Sequence, residues 1–491
     1  MLASCSPPHI NSRKQVPIAL LPPCVSAWGR ELLWRSNAFN RSLATIPNAA
    51  TTSDYGFAAN FLRYCMIPGY SARHLAYIRI RPTALALLVW TLSWALTGFC
   101  SDLALVHAKI YRSPTQPAIT DGVILVRGSR IVAVGPGARV KVPIHANVID
   151  CQGRAVTAGF WNSHVHILFP GILHAEKLTS RHVSSELQEM FTRWGFTTVF
   201  DIASVQQNTT LIRRRIESGE VTGPTILTVG EPFWVKGGTP IYIKGFLEAN
   251  HIVMPEVSSP EQAVVRVRQQ INGGADAIKI FANSVERDRI LTMPSDLAKA
   301  IVAEAHRAGK PVFAHVSNDQ GIEVALQSGV DILAHTTPAG DLWSAPFAER
   351  LVAAHIALTP TLTLWDVEAK KGGVSSEQAE KWMSRAAEQL KAFSEAGGEV
   401  LFGTDVGYIE QFDTSEEFTW MARAGLNFQQ ILASLTTNPS ARFGYSSHRG
   451  RIAEGMDADL VVLNGDPGKD VIAFSKVHQV IRGGQLIYQA R

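Results

Sequence analysis

The sequence predicts an α/β fold, a (β/α)8 TIM barrel with a small β-sandwich domain built from the N- and C-terminal flanking segments. Eight apolar, β-rich runs alternate with amphipathic stretches between residues 155 and 406. Eight such units in about 250 residues are typical of this barrel. The segments on either side contain only short strand-like runs separated by turns, too few in either segment to bury a core alone.

The eight runs are almost continuously apolar, as expected for strands of a parallel sheet that is covered on both faces. They occupy residues 155–166, 197–203, 225–230, 277–282, 311–316, 331–336, 357–362 and 400–406. Stretches between them, such as SPEQAVVRVRQQINGG and PSDLAKAIVAEAHRAGK, begin at Ser or Pro and end near Gly, as helices do. A doubly wound open sheet also fits the alternation, but no Gly-rich phosphate-binding turn follows the first run.

The domain boundaries follow from this alternation. Residues 156–444 are predicted to form the barrel, and residues 102–155 and 445–491 contain strand-like runs such as DGVILVRGSRIVAVGPG and DLVVLNGDP. Pairing the two flanks in one composite β-sandwich domain supplies each with the partner strands that it lacks.

The first hundred residues differ in character from the rest. Residues 79–100 combine Arg79 and Arg81 with an apolar stretch and then small residues, the pattern of a secretory signal peptide. A membrane anchor through residues 83–100 and a buried helix are the alternatives. Residues 1–78 are unassigned and are expected to be disordered or to lie upstream of the true start, for which Met66 is a candidate. We therefore expect an exported protein, periplasmic or extracellular, either released or membrane-anchored.

Charge and cysteine content exclude some classes of function. Residues 1–100 carry nine Lys/Arg and two Asp/Glu, so the formal net charge of +4 becomes −3 for the remainder of the chain. That remainder offers no basic surface for nucleic acid. Cys151 is the only cysteine after residue 100, so this part of the chain has neither an internal disulfide nor a cysteine-based zinc motif.

Candidate metal ligands stand at the ends of several predicted strands. His164 and His166 are two residues apart on the first strand and therefore share a face. His315 ends the fifth strand, His335 the sixth and Asp405 the eighth. A carboxylate after an apolar run is costly to bury unless it is paired or bound to a metal. Because barrel active sites lie at the C-terminal strand ends, the five side chains predict a metal site there.

Lys279 lies on the fourth predicted strand, in GADAIKI. Its ammonium has no lone pair to donate to a metal, whereas its neutral amine can react with carbon dioxide to form an anionic carbamate. From the residues alone, a lysine that pairs with an acid or orients a substrate anion fits equally well.

The order HVH, Lys, His, His and Asp over strands 1, 4, 5, 6 and 8 resembles the amidohydrolase superfamily. The split β-domain and the C-terminal GRIAEGMDADLVVLNGDP resemble it too. The resemblance implies a binuclear centre, usually of Zn²⁺. His164 and His166 would hold one ion with Asp405, while His315 and His335 would hold the other. Carboxylated Lys279 would bridge the two ions.

Within the superfamily, GFTTVFD, GADAIKI and AHVSNDQGIEVALQSGVDILAH are most similar to imidazolonepropionase-like and Xaa-Pro dipeptidase-like enzymes. Two motifs depart from the dipeptidases: KGGTP replaces their Gly-Gly-His-Gly after strand three, and AHTTP replaces their Glu-His-Gly on strand six. Imidazolonepropionases lack a lysine at the position of Lys279. Neither specific substrate is therefore carried over.

The ligand set predicts hydrolysis by attack of metal-bound hydroxide, with Asp405 as the catalytic proton carrier. We expect a small-molecule substrate with a non-peptide carbon–nitrogen bond, linear or cyclic. The alternatives are an Xaa-Pro dipeptidase-like activity, lactone or organophosphate ester hydrolysis at the same site, and a non-catalytic scaffold. A homo-oligomer is compatible with the sequence. The loop residues that could shape specificity are Trp234, Lys236, Tyr242, Asn283 and Tyr408.

Overall fold

The computed structural model describes residues 102–287 and 289–490. The predicted signal peptide or anchor at residues 79–100 and the unassigned residues 1–78 lie outside the described residues. In the described part of the chain, no helix combines the length and the apolar character that a membrane crossing needs.

Strands from both flanks of the chain share one mixed sheet. The N-terminal strands are β1 (Leu103–Ile110), β2 (Ile119–Arg127), β3 (Arg130–Pro136), β4 (Asn147–Asp150) and β5 (Ala155–Ala158). The C-terminal strands are β17 (Leu460–Leu463), β18 (Val477–Arg482) and β19 (Gln485–Gln489). Their order is β19-β18-β17-β5-β1-β2-β3, and β4 pairs with β1. The N- and C-terminal segments thus form one composite sheet, while its division into a two-layer sandwich stays a prediction.

Parallel strands of the central block form two groups. The first is β6 (Phe160–Val165), β7 (Phe196–Asp201) and β8 (Thr225–Thr228). After the short pair β9 (Trp234–Val235) and β10 (Glu256–Val257) comes the second group, β11 (Ile278–Phe281), β14 (Val312–His315), β15 (Ile332–Ala334) and β16 (Ala357–Thr359). The hairpin of β12 (Asn283–Glu286) and β13 (Arg289–Thr292) follows β11.

Backbone hydrogen bonds join the two groups at both ends. Between β8 and β11, the Asp276 amide donates to the Thr228 carbonyl at 2.7 Å. On the other side, residues 400–406 lie between β16 and β6: Leu401 donates to Leu358 at 2.9 Å, and Ser163 donates to Phe402 at 2.7 Å. The arrangement is a TIM-barrel-like α/β fold.

Helices alternate with these strands, and the residues at the helix ends explain where the helices begin and end. The run SPEQAVVRVRQQINGG forms a helix over Pro260–Asn272, where the Ser259 hydroxyl caps the first turn by accepting from the Gln262 amide. The helices are α1 (Ser180–Met190), α2 (Gln206–Glu217), α3 (Ile241–Ala249), α4 (Pro260–Asn272), α5 (Ser295–Arg307), α6 (Asp319–Ser328), α7 (Ala345–Ala353), α8 (Leu362–Lys371), α9 (Ser376–Glu395), α10 (Ser415–Arg423), α11 (Phe428–Leu435) and α12 (Thr437–Arg442).

The first predicted strand, residues 155–166, is wrong as a single element. It is divided at Gly159 into β5, which pairs with β17, and β6, which pairs with β7. A side chain at Gly159 would place its Cβ 2.2 Å from the Thr197 hydroxyl oxygen. The chain changes sheets at the point where only glycine fits.

An apolar cluster fills the interior below the predicted site. Its members come from all eight strand segments of the block and include Trp161, Phe200, Leu227, Ala277, Phe313, Ile332, Ala357 and Leu401. Side chains two residues apart on a strand share a face. Lys279, two residues after Ala277, and His315, two after Phe313, therefore continue this interior towards the C-terminal strand ends.

Asp457 anchors the C-terminal segment to the start of β3. Its carboxylate lies 2.7 Å from Arg130 Nη1, 3.0 Å from His448 Nδ1 and 3.0 Å from Arg449 Nε. Burial raises the pKa of Asp457, but the bonds from His448 and Arg449 outweigh it and hold the pKa below its ordinary value.

Candidate metal centre

Three predicted ligands meet at the ends of β6 and of the segment 400–406. One nitrogen of His164, one of His166 and one Asp405 oxygen lie within 4.8 Å of one another. Asp405 Oδ1 is 3.0 Å from His164 Nε2 and 2.7 Å from His166 Nε2. The His164 Nε2 is buried and makes no hydrogen bond despite that proximity. The proximity of two imidazole nitrogens and a carboxylate oxygen fits a shared cation.

The other ring nitrogen of each of these histidines is held from behind. His166 Nδ1 lies 2.9 Å from the Ala203 carbonyl oxygen, which can only accept. His164 Nδ1 lies 3.3 Å from the Thr359 hydroxyl. Partners of this kind fix the tautomer and direct the opposite nitrogen, Nε2, towards a metal.

His315 and His335 extend the cluster. The ring of His335 is 4.5 Å from that of His164 and 5.0 Å from that of His315, centroid to centroid. His335 Nδ1 lies 2.7 Å from the Thr361 hydroxyl, and His315 Nε2 lies 3.1 Å from the Ser317 hydroxyl. The four imidazoles therefore form one continuous group.

Burial favours the neutral form of His164, His315 and His335, which is the form that binds metals. It lowers the pKa of His164 to about 3, although Asp405 opposes the change. Burial also lowers the pKa values of His315 and His335 well below the ordinary range, and the charge of Lys279 adds to this. For Asp405, burial raises the pKa, but His164 and His166 hold it well below its usual value.

Lys279 is 1% exposed and lies among these groups. Within residues 102–287 and 289–490, no hydrogen bond or ion pair reaches its ammonium, and its contact with the Phe281 ring is 5.8 Å from Nζ to the centroid. Burial lowers the pKa of Lys279 to about 7, with the Asp405 charge acting in the opposite direction. An amine in this environment is largely neutral at slightly alkaline pH.

Asp405 and His335 occupy left-handed backbone conformations, with φ of 65° and 80°. Non-glycine residues rarely adopt this region, and such strain is concentrated at functional sites. Gly407, with φ of 101°, allows the chain to turn beneath the first strand, because a Cβ there would lie 1.8 Å from the His166 carbonyl oxygen. The backbone geometry around Asp405 is therefore tightly constrained.

The predicted loop residues divide into two groups. Tyr242 and Tyr408 form a pair with ring centroids 5.4 Å apart, and Lys236 is exposed. Asn283 is instead buried and accepts from the Ser317 amide at 2.7 Å, so it supports the loop that follows His315. Trp234 is also buried, against Phe281.

The residues that orient the ligands were missed by sequence reasoning. Thr359 and Thr361 sit in the apolar run ALTPTL, where nothing distinguishes their hydroxyls from ordinary strand threonines. The Ala203 carbonyl belongs to the backbone and has no sequence signal of its own.

The sequence pattern of the amidohydrolase family matches residues 155–487. This chain belongs to that family. It is an amidohydrolase-superfamily hydrolase, and the divalent metals that the family generally uses agree with the His164, His166 and Asp405 group.

Individual relatives differ in what they act on. An imidazolonepropionase from Chloroflexus aggregans is 25% identical, over 75% of this chain and 91% of that protein. An ochratoxinase from Aspergillus niger is 27% identical over 45% of this chain, but the match spans only 48% of the ochratoxinase. A crystal structure of a prolidase complexed with N-methylphosphonate-L-proline is 26% identical, with a TM-score of 0.67 over 79% of this chain and 100% of the prolidase. The relatives agree on the superfamily and differ in substrate.

Proposed function

We propose that this chain hydrolyses a non-peptide carbon–nitrogen bond, an amide or cyclic amide, in a small-molecule substrate, using two divalent ions that we expect to be Zn²⁺. The observation that carries the proposal is the grouping of four imidazoles with a buried carboxylate and a desolvated lysine. Imidazole and carboxylate donors suit zinc.

The ligands divide into two sets. His164, His166 and Asp405 would hold one ion, and His315 with His335 would hold the other. Carboxylated Lys279 would bridge them, which gives a function to a buried amine that makes no hydrogen bond or ion pair with any residue the structure describes. His164, His315 and His335 need no deprotonation at neutral pH, because burial already favours their neutral form.

Divalent ions in such a site lower the pKa of water and polarise a carbonyl. The reaction adds water across the bond: the oxygen joins the carbonyl carbon, and a proton goes to the leaving nitrogen. Asp405 can take a proton at its carboxylate and return it to that nitrogen. Tyr242, in the first turn of α3, and Tyr408, three residues after Asp405, form a ring pair that can contact the substrate.

An Xaa-Pro dipeptidase-like activity is the second candidate, favoured by the likeness to the prolidase structure. The KGGTP and AHTTP motifs depart from the dipeptidase pattern and favour the first candidate, hydrolysis of a non-peptide carbon–nitrogen bond. A panel of N-acyl amides, cyclic amides and Xaa-Pro dipeptides, assayed with protein of known metal content, separates the two. Turnover of dipeptides above all the other substrates would replace the first candidate with the second.

We also propose, from sequence alone, that residues 79–100 direct export, and that the barrel spans residues 156–444 beside a composite domain of residues 102–155 and 445–491. N-terminal sequencing of the protein recovered from the periplasm or medium tests the export proposal. A mature chain beginning shortly after residue 100 would support it, and an intact cytoplasmic chain would contradict it.

A further inference from the structure

Glu417 is a buried carboxylate to which the proposed reaction gives no role. It lies in the first turn of α10 with no exposure to solvent. Its oxygens accept from the Leu362 amide at 2.8 Å, the Thr363 amide at 2.8 Å and the Thr363 hydroxyl at 2.9 Å. Burying a carboxylate is costly unless it is well satisfied, so these bonds are expected to serve a purpose.

The two amides belong to the first turn of α8. The residue before this helix, Thr361, is of a type that normally caps a helix by accepting from its second or third amide, here that of Thr363 or Leu364. Its side chain makes no such bond here. Glu417 takes its place and caps α8 from a different helix.

The Thr361 hydroxyl is used elsewhere. It donates to the Pro360 carbonyl at 2.9 Å and lies 2.7 Å from His335 Nδ1. Because its proton is directed to Pro360, the Thr361 oxygen acts as acceptor for a proton on His335 Nδ1. This arrangement fixes the tautomer in which Nε2 of His335 has its lone pair available. Thr361 has a φ of 45°, a strained conformation that its surroundings must maintain.

We propose that Glu417 is a positioning residue: by capping α8 it releases Thr361 to hold His335 in the tautomer that can bind metal. This rests on the proposed function, in which His335 is a ligand. Removing such an outer partner typically costs about 10–100-fold in metal affinity.

The experiment compares zinc-loaded wild type with the Glu417→Gln, Thr361→Val and double variants. Release of zinc to a chromogenic chelator is timed for each, and the thermal midpoint is recorded. We expect release to be about 10–100-fold faster in either single variant, and the double variant to be little faster than the singles, because both break one linkage. Effects that multiply in the double variant would overturn the proposal.

Asn427→Ala is the matched control. Asn427 caps α11 through a reciprocal bond with Gln430, at 3.0 Å in each direction, and among the described residues it makes no hydrogen bond to a proposed ligand or to Glu417. This variant should lower the thermal midpoint without changing zinc release. If Glu417→Gln behaves in the same way, Glu417 is only a structural cap and the proposal fails. Should Glu417→Gln fail to fold, Glu417→Asp, which keeps the charge but shortens the reach, replaces it.

A second readout does not depend on metal. In metal-free protein with ¹⁵N-labelled histidine, the His335 resonance should show a proton on Nδ1 in the wild type and a mixture of tautomers in Glu417→Gln. An unchanged His335 tautomer would overturn the proposal. If the wild-type protein binds no zinc, the proposed function is refuted. The comparison of the His335 tautomer in metal-free wild type and Glu417→Gln then still tests the positioning role of Glu417.

Discussion

In the proposed site Lys279 bridges two ions as a carbamate, and its free amine cannot, so carbon dioxide should control metal uptake by this protein. Carbamate forms from the neutral amine. Burial lowers the pKa of Lys279 from 10.5 to about 7, so moderate changes in pH alter the amount of reactive amine. The perturbation is to load metal-free protein with Zn²⁺ at pH 6 and pH 8, with and without dissolved carbon dioxide.

The size of the effect follows from the pKa. With a value of about 7, roughly one tenth of the amine is neutral at pH 6 and roughly nine tenths at pH 8. The uptake that depends on carbon dioxide should therefore be about tenfold faster at pH 8. A solvent-exposed lysine would be only about 0.3% neutral at pH 8, some 300-fold less reactive by this measure. Burial is thus the source of the predicted reactivity.

The assay follows zinc uptake per chain while dissolved carbon dioxide, rather than total bicarbonate, is held constant. Subtracting the rate in carbon dioxide-free buffer removes the pH dependence of the other ligands. Lys279→Gln is the control, and in it the carbon dioxide-dependent part should vanish. Equal uptake with and without carbon dioxide at pH 8, or an effect that persists in Lys279→Gln, would refute the bridging role.

Three other substitutions test separate parts of the account. Asp405→Asn should lower kcat by about 10²–10⁴-fold, measured per bound metal, and a fully active variant would exclude Asp405 as proton carrier. Gly407→Ala should lose bound metal because its Cβ meets the His166 carbonyl, whereas Gly373→Ala, with a φ of 64° but no heavy atom near the added Cβ, should retain it. Asp457→Asn should lower the free energy of unfolding by about 1–3 kcal/mol at pH 7 in chemical denaturation. Because the folded-state pKa of Asp457 is lowered, its carboxylate stabilises the fold above its unfolded pKa, and the loss should shrink as pH falls below about 4; a loss independent of pH would contradict this reading.

The elements that could be predicted are those whose signal is local. The run VFAHV predicts a strand that ends at His315, and β14 ends there. DILAHT similarly gives β15, with His335 just beyond it. Because parallel strands place their C-terminal ends together, two histidines far apart in sequence could be expected as neighbours.

Long-range partners could not be predicted in this way. The pairing of β5 with β17 joins residues about 300 positions apart. The apolar pattern of either strand would equally allow it to pair with another strand. The contact of Thr361 with His335 depends on a left-handed turn and on Glu417, which lies 55 residues beyond Leu362. Turns of this kind arise from tertiary packing rather than from local preference.

The segment 400–406 was expected to be a strand and is not a regular one. Its described pairings are isolated bridges at Val400 and Val406. The backbone leaves the extended conformation at Asp405, whose φ is 65°. The turn that ends the strand is the feature that brings the carboxylate to the histidines.

The most direct test of the central claim is the metal content of the purified wild-type chain, prepared without chelators and measured by elemental analysis. We expect about two equivalents of zinc or a similar divalent ion per chain, falling sharply in Lys279→Ala. Folded protein that contains no metal and takes up none when it is supplied with carbon dioxide at pH 8 would contradict it.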